Sequence, residues 1–530
     1  MRKRGIVIGA MGLILILLVA GCGASSEPAT ATVPDGAKAG DLTPLTPCDY
    51  QPYGSQEKYD AECGTLTVRE NWDNADSRLI ALPVTRVRAT GDNPVEPIFW
   101  LVGGPGDSNM GFKPPAWLLI KHDVVMVGYR GVDGSSVLDC PEVAQALKGV
   151  GGDLLSAESR ANMGGAITRC AERLQGEGVD LDGYTMLEVV EDMEAARMGL
   201  GYERVNLLSS SYGTRVALIY AWQHPNRIYR SVMMGVNPPG HFIWEPENID
   251  AQLAYYARLC AQDAGCSART PDLAGTMRKV AHDMPRLWLF LPIDPGKMKM
   301  GTFLPGLANP GSAAWVFDAY IAAEQGDPSG LALASLASDF LLPPNTWGDY
   351  IAKAVSAGDF DPARDYAIEM DPPNSILGSP WSLLFASSVK DWPTKPIPAE
   401  FRQVQPSDVE TLLVSGSIDF PTPAEFATDE LLPYLTKGQQ VILAEMGHQV
   451  ADLFNVQPEA TERLLTSFYD TGVADDSLYT YAPMDFSVSL GFPTLAKLLV
   501  AAVIIVPLLL VGGVVLIIRK IRKRRAGVAA

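Results

Sequence analysis

The chain has 530 residues, 47% of them hydrophobic and 19% charged, with a net charge of −19. That is the composition of a globular protein, and it excludes a disordered or collagen-like chain. Setting aside nine basic residues at the two ends leaves 33 Lys and Arg against 61 Asp and Glu, so the middle of the chain stands near −28; such a surface repels phosphate backbones and argues against a nucleic-acid partner.

Residues 1–21 read as an export signal. Arg2, Lys3 and Arg4 form a positive start, Gly5 to Ala20 is an apolar run too short for a bilayer, and Val19-Ala20-Gly21-Cys22 closes it with small residues and a cysteine. The pattern is similar to the bacterial lipoprotein signal, in which that cysteine, here Cys22, is lipidated; an uncleaved signal anchor is the competing reading. Residues 22–47, rich in Ala, Thr, Pro, Gly and Ser, read as a flexible tether.

From about Cys63 strands alternate with helices. Ile98–Val102 is a short apolar run ending in Gly103-Gly104-Pro105-Gly106. Val124–Val127 is a second, followed by Gly128-Tyr129-Arg130-Gly131. Val189, Met193, Ala196 and Leu200 keep helical spacing, which predicts a helix over Leu187–Leu200 ending at Gly201. A strand at Val205–Leu208, a tight turn, a helix over Tyr212–Gln223 stopped by His224-Pro225, and a strand at Ser231–Gly235 follow. This β-α-β rhythm predicts a mostly parallel sheet flanked by helices. Residues 241–400 break the rhythm and read as an insertion between a first core part, 48–240, and a second, 401–485. The second holds strands at Thr411–Ser415 and Gln440–Glu445 around a helix at Ala424–Leu435. Leu498–Ile518 carries no charge and matches the hydrocarbon thickness, which predicts a transmembrane helix within 494–518 and, by the positive-inside rule, a cytoplasmic basic tail over 519–530. A buried core helix is the alternative for that segment.

Apart from Cys22, six cysteines remain: Cys48, Cys63, Cys140, Cys170, Cys260 and Cys266. An even number in an exported domain predicts disulfides, of which sequence allows fifteen pairings. Pairing nearest neighbours gives Cys48–Cys63, Cys140–Cys170 and Cys260–Cys266. No histidine stands near them at zinc-ligand spacing, so no metal is expected.

Ser209-Ser210-Ser211-Tyr212-Gly213 lies between a strand and a helix, the setting of a nucleophile elbow. There the turn lifts Ser211 above the sheet, and the helix N-terminus favours negative charge. A serine hydroxyl needs a base. Of five histidines, only His448 follows directly on a late strand; His122, His224, His241 and His282 have structural readings. Asp419, in the loop after Thr411–Ser415, supplies the third member. Asp429 and Glu430 fall inside the next helix, and Asp408 precedes the strand at its wrong end. The amides of Tyr212 and Gly104 are the expected oxyanion donors. The glycine turn lacks the spacing of a phosphate or dinucleotide loop, so no cofactor is expected.

Together these pieces resemble the prolyl iminopeptidase / tripeptidyl aminopeptidase group of α/β-hydrolases. Its glycine turn is similar to Val102–Gly106, its D-x-R-G-x-G-x-S segment to Gly128–Ser135, and its G-x-S-Y-G-T elbow to Ser209–Thr214. Tyr220-Ala221, His224-Pro225 and Ile228, and later Gly416, Asp419 and Thr422-Pro423, extend the likeness over about residues 60–240 and 405–450. Val102 stands where the group has His, Gly128 where it has Asp, and Ser209 where it has Gly. The resemblance implies an α/β-hydrolase fold with a mainly helical cap at 241–400. It also implies a serine peptidase with a Ser211–Asp419–His448 triad, acting on a peptide or small acyl substrate. Members that release N-terminal residues hold the substrate amine with acidic cap residues; Glu245 and Glu247 stand near this cap's start, with no motif to assign them. With both ends, the expectation is an aminopeptidase on the outer face of the cell membrane, held by lipid on Cys22 and the C-terminal helix. An esterase with the same triad is the alternative, and a non-catalytic binding lipoprotein a third reading.

Overall fold

The computed structural model describes residues 30–52, 55–308, 310–341, 345–448 and 453–526, without the side chains of residues 305, 340, 341, 505–512 and 520–526. The export signal, Cys22 and the last four residues of the basic tail lie outside the described residues.

Eleven strands are present among the described residues: β1 (Thr46–Tyr50), β2 (Tyr59–Arg69), β3 (Leu79–Val87), β4 (Ile98–Leu101), β5 (Val124–Val127), β6 (Val205–Ser210), β7 (Ile228–Met234), β8 (Leu287–Trp288), β9 (Leu291–Pro292), β10 (Glu410–Gly416) and β11 (Gly438–Leu443). Nine of them form one sheet in the order β1-β2-β3-β5-β4-β6-β7-β10-β11. The pairs from β1 to β5 are antiparallel, and those from β5 to β11 are parallel. Every residue of β4 and β5 is buried. Helices cover both faces there, which is why these strands read as unbroken apolar runs and not as alternating ones.

The helices beside the site begin and end on local signals. Met186–Leu200 is capped by Thr185, whose side chain accepts from Glu188 N, and it stops at Gly201 in the left-handed region. Tyr212–Gln223 is buried over its first ten residues. Between β7 and β10 lies the mainly helical cap, including helices Pro246–Gln262, Pro310–Glu324, Ser329–Leu341 and Trp347–Ser356.

One expected helix differs. Over 424–435 the chain makes a π-type turn at Phe426–Leu431 and a 3-10 turn at Leu432–Tyr434. Pro433 has no N–H to continue a regular ladder, and its ring crowds the preceding turn.

Cys48–Cys63, Cys140–Cys170 and Cys260–Cys266 are disulfides, with Cα separations of 5.9, 5.6 and 5.2 Å. The last helix runs from Phe492 to Ala526 and contains the segment expected to span a membrane. Its first turns pack on the cap: Ser329 Oγ donates to Pro493 O at 3.3 Å, Lys497 pairs with Asp327 at 2.5 Å, and Ala496 and Val500 are buried. Among the described residues, no helix is long and apolar enough to cross a membrane.

Candidate active site

The chain passes from β4 outward to β5 and then returns across β4 to β6. This reversal opens a crevice at the carboxyl ends of β4 and β6, where an open α/β sheet places its site. Register pairs Leu101 with Ser209, so the glycine turn after β4 and the serine turn after β6 leave the sheet side by side.

Ser211 occupies the sharp turn with φ 51° and ψ −123°, a conformation rare for a residue with a side chain. Close packing enforces it. Ser211 N donates to Met234 O at 2.8 Å. A Cβ on Gly103 would lie 3.0 Å from Ser211 Cβ, and one on Gly213 would strike the Leu101 carbonyl. Only glycine lets this helix approach β4 so closely.

The three residues singled out by sequence meet here. His448 Nε2 lies 3.0 Å from Ser211 Oγ, and His448 Nδ1 lies 3.0 Å from Asp419 Oδ1. Asp419 is fully buried. Burial pulls the His448 pKa down, but the charge and hydrogen bond of Asp419 outweigh it, so the net shift is upward from 6.5. The loops carrying Asp419 and His448 touch: Ile418 N donates to Met446 O at 3.1 Å, and a Cβ on Gly416 would strike that same carbonyl. The cap holds the histidine loop through His448 N, which donates to Ala308 O at 2.8 Å.

Thr422 belongs to this centre and was missed as a site residue. Its N–H donates to Asp419 Oδ1 at 2.8 Å, its Oγ1 donates to Asp419 Oδ2 at 2.9 Å, and that oxygen lies 3.0 Å from His448 Nδ1. The sequence signal was its place three residues after Asp419, where a short hydroxyl side chain folds back on its own turn.

The Tyr212 amide opens the helix and has no partner within it. The Gly103 and Gly104 amides have no acceptor among the described residues. Most of the remaining candidates are engaged elsewhere. Glu430 pairs with His241 at 2.7 Å, Asp408 accepts from Thr436 Oγ1 at 2.7 Å, and His122 Nδ1 meets the Glu96 carbonyl at 2.7 Å. His282 Nε2 meets the Ser375 carbonyl at 2.9 Å. Glu245 is gripped by Arg364 at 2.6 and 2.9 Å, and Glu247 is exposed on the cap surface.

Two departures from the family pattern have local causes. A Cβ on Gly128 would lie 2.7 Å from both Asp133 Cβ and Pro83 Cδ. The Asp133 carboxylate occupies that space and accepts from Ser108 Oγ at 2.6 Å, Asn109 N at 3.1 Å and Tyr129 N at 2.9 Å. At the elbow, the buried Ser209 hydroxyl donates to Val232 O at 3.1 Å and so is satisfied inside the sheet.

The sheet and its flanking helices have the α/β-hydrolase fold, and residues 96–281 match the model of the alpha/beta hydrolase fold family. The chain is similar to the tripeptidyl aminopeptidase of Streptomyces lividans, 27% identical over 211 residues, or 37% of this chain and 39% of the relative. It is also similar to the serine protease Hip1 of Mycobacterium tuberculosis, 29% identical over 284 residues, or 49% of this chain and 52% of the relative. The chain thus spans between about two fifths and one half of the length of these curated relatives.

Proposed function

We propose that this chain is a serine aminopeptidase on the outer face of a membrane, cutting peptides near their N-termini through an acyl-enzyme. The observation that carries the reading is the continuous Ser211–His448–Asp419 contact at the turn after β6. Ser211 Oγ attacks the scissile carbonyl carbon while His448 Nε2 takes its proton. The carbonyl oxygen becomes negative and is held by the amides of Tyr212 and Gly104, with the helix N-terminus behind them. As the adduct collapses, the C–N bond breaks and His448 gives its proton to the leaving amine. Water then attacks the acyl ester, losing a proton to His448, which returns it to Ser211 as the ester bond breaks. Asp419 stays ionised throughout and holds Nδ1–H.

The peptidase names of the two relatives favour amide over ester. Three disulfides suit an exported domain. The lipoprotein-like signal at Cys22 and the apolar run Leu498–Ile518 before a basic cluster support anchoring at both ends. The second reading is an esterase using the same triad; an apolar cap cavity of about 400 Å³ lined by Met298, Met300, Trp315, Val316 and Phe492 includes no triad residue and favours neither reading.

Hydrolysis of aminoacyl and tripeptidyl chromogenic amides beside short acyl esters separates the two. Amide cleavage that needs a free amine supports the aminopeptidase; cleavage of esters alone moves the chain to the esterases. For anchoring, a chain lacking residues 494–530 should stay with the membrane through Cys22, and its release into the medium would contradict lipidation.

A further inference from the structure

The cap carries an apolar hairpin that the reaction above does not use. Strands β8 and β9 pair Leu287 with Pro292 and Trp288 with Leu291, which leaves Leu289 and Phe290 as a two-residue tip. Leu289 stands at φ 52°, in the left-handed region. Hairpin tips of this length take glycine, asparagine or aspartate where φ is positive, and a leucine there is strained. Burial does not compensate: Leu287 is 49% and Leu289 61% exposed. Trp288 and Phe290 are partly buried against the cap core and brace the tip from behind. A single exposed leucine needs no explanation, but a strained one grouped with a second and backed by two aromatic rings marks a contact surface.

The place of the hairpin points to its partner. Strands β8 and β9 pack on the cap helix Ser329–Leu341, and Asp294 N, two residues beyond β9, donates to Ser335 Oγ at 2.9 Å. The last helix packs on the same cap helix: a Cβ on Gly330 would lie 2.8 Å from Pro493 Cδ, and Ala496 and Val500 are buried. Two elements resting on one helix stand within two interaxial distances, ~20 Å, of each other. The apolar run Leu498–Ile518 begins inside this contact, and Leu498 is already 56% exposed. A run that enters a bilayer from there sets the adjoining cap surface at the headgroup level. The middle of the chain is acidic, so charge does not draw it to an anionic membrane, and the contact left to it is apolar.

We propose that the hairpin tip, Leu287 and Leu289 with Trp288 and Phe290 behind them, enters the boundary between headgroups and acyl chains of the membrane that anchors the chain. The proposal rests on the anchoring reading and adds a third contact to it. Tryptophan and phenylalanine suit that boundary, where one side of a ring is apolar and the other wet. A helix and a hairpin together fix an orientation that one helix leaves free to turn. The cap, and not the sheet, then faces the bilayer.

The test uses the full-length protein in phosphatidylcholine vesicles. Six of its cysteines are in disulfides and the seventh is the lipidation site, so Leu289→Cys supplies one thiol for an environment-sensitive fluorophore. Leu287→Cys repeats the measurement at the second exposed tip residue. Met198→Cys is the reference: that side chain is 60% exposed near the end of the helix that leads into the start of β6, away from the carboxyl ends of the strands. Thermal unfolding at the wild-type temperature shows that each variant is folded. The tip labels should lose most of their emission to nitroxides placed high on the lipid acyl chains and little to aqueous iodide, and the label at position 198 should do the reverse. Tip labels quenched by iodide in vesicle-bound protein overturn the proposal and leave the anchoring reading standing. Tip labels shielded from both quenchers would mean that a protein surface covers the hairpin, which overturns it as well. Protein that does not float with the vesicles overturns both.

Discussion

Thr422 Oγ1 lies 3.0 Å from His448 Nδ1 while donating to Asp419 Oδ2 at 2.9 Å. Thr422 is therefore one partner of the histidine's far nitrogen and holds the other, Asp419. Its own proton goes to the carboxylate, so its oxygen is free to share the Nδ1–H with Asp419. This fixes the tautomer that leaves Nε2 open towards Ser211.

Thr422→Val should lower kcat by about five- to tenfold and leave KM unchanged, in keeping with one hydrogen bond worth roughly 1 kcal/mol. Thr422→Ser should restore most of the rate. Steady-state kinetics on one chromogenic substrate reads both variants.

The pH profile follows from His448. The base must be neutral to take the Ser211 proton, so kcat/KM is full above its pKa and is lost as pH falls through it. Asp419 outweighs burial and raises that pKa, so the acid limb should lie above pH 6.5. Asp419→Asn removes the charge and leaves burial to act alone. Its limb should move to lower pH, and kcat should fall by roughly 10⁴ as the tautomer is lost. A limb that stays in place would show that another group controls it.

Much of this centre was legible in sequence because its elements are short-range and carry distinctive residues. Two unbroken apolar runs named β4 and β5, Gly201 and His224-Pro225 ended the helices beside the site, and the late order of Asp419 and His448 picked out the partners of Ser211. Nearest-neighbour pairing also named the three disulfides. What stayed hidden depends on tertiary contact. Nothing local marks Thr422 as touching a histidine 26 positions away. The irregular turns at Phe426–Tyr434 pass for a helix until Pro433 is weighed. The need for glycine at position 128 is visible only once Pro83 and Asp133 close on it.

The packing around Gly128 makes a further prediction. Gly128→Asp, which restores the family residue, should destabilise the protein by more than about 2 kcal/mol, because its Cβ has no room and its carboxylate would stand beside Asp133. Chemical denaturation of the ectodomain checks this, and a variant as stable as the wild type would contradict the packing argument.

Ser209→Gly runs the opposite way from intuition. It also restores the family residue, yet it removes the hydrogen bond to Val232 O and adds backbone freedom to the unfolded chain. A loss of roughly 1–2 kcal/mol is expected, with the Ser211 chemistry retained. Thermal unfolding and substrate turnover measured on the same sample report the two effects separately.

The measurement to make first is turnover of a free-amine chromogenic amide by wild-type protein and by Ser211→Ala, with fluorophosphonate labelling of both. If Ser211 is the nucleophile, the wild type is labelled and turns over, whereas Ser211→Ala takes no label and loses roughly 10⁴–10⁶ in kcat. Turnover in Ser211→Ala at the wild-type rate would mean that the Ser211–His448–Asp419 contact is not where the bond is cut.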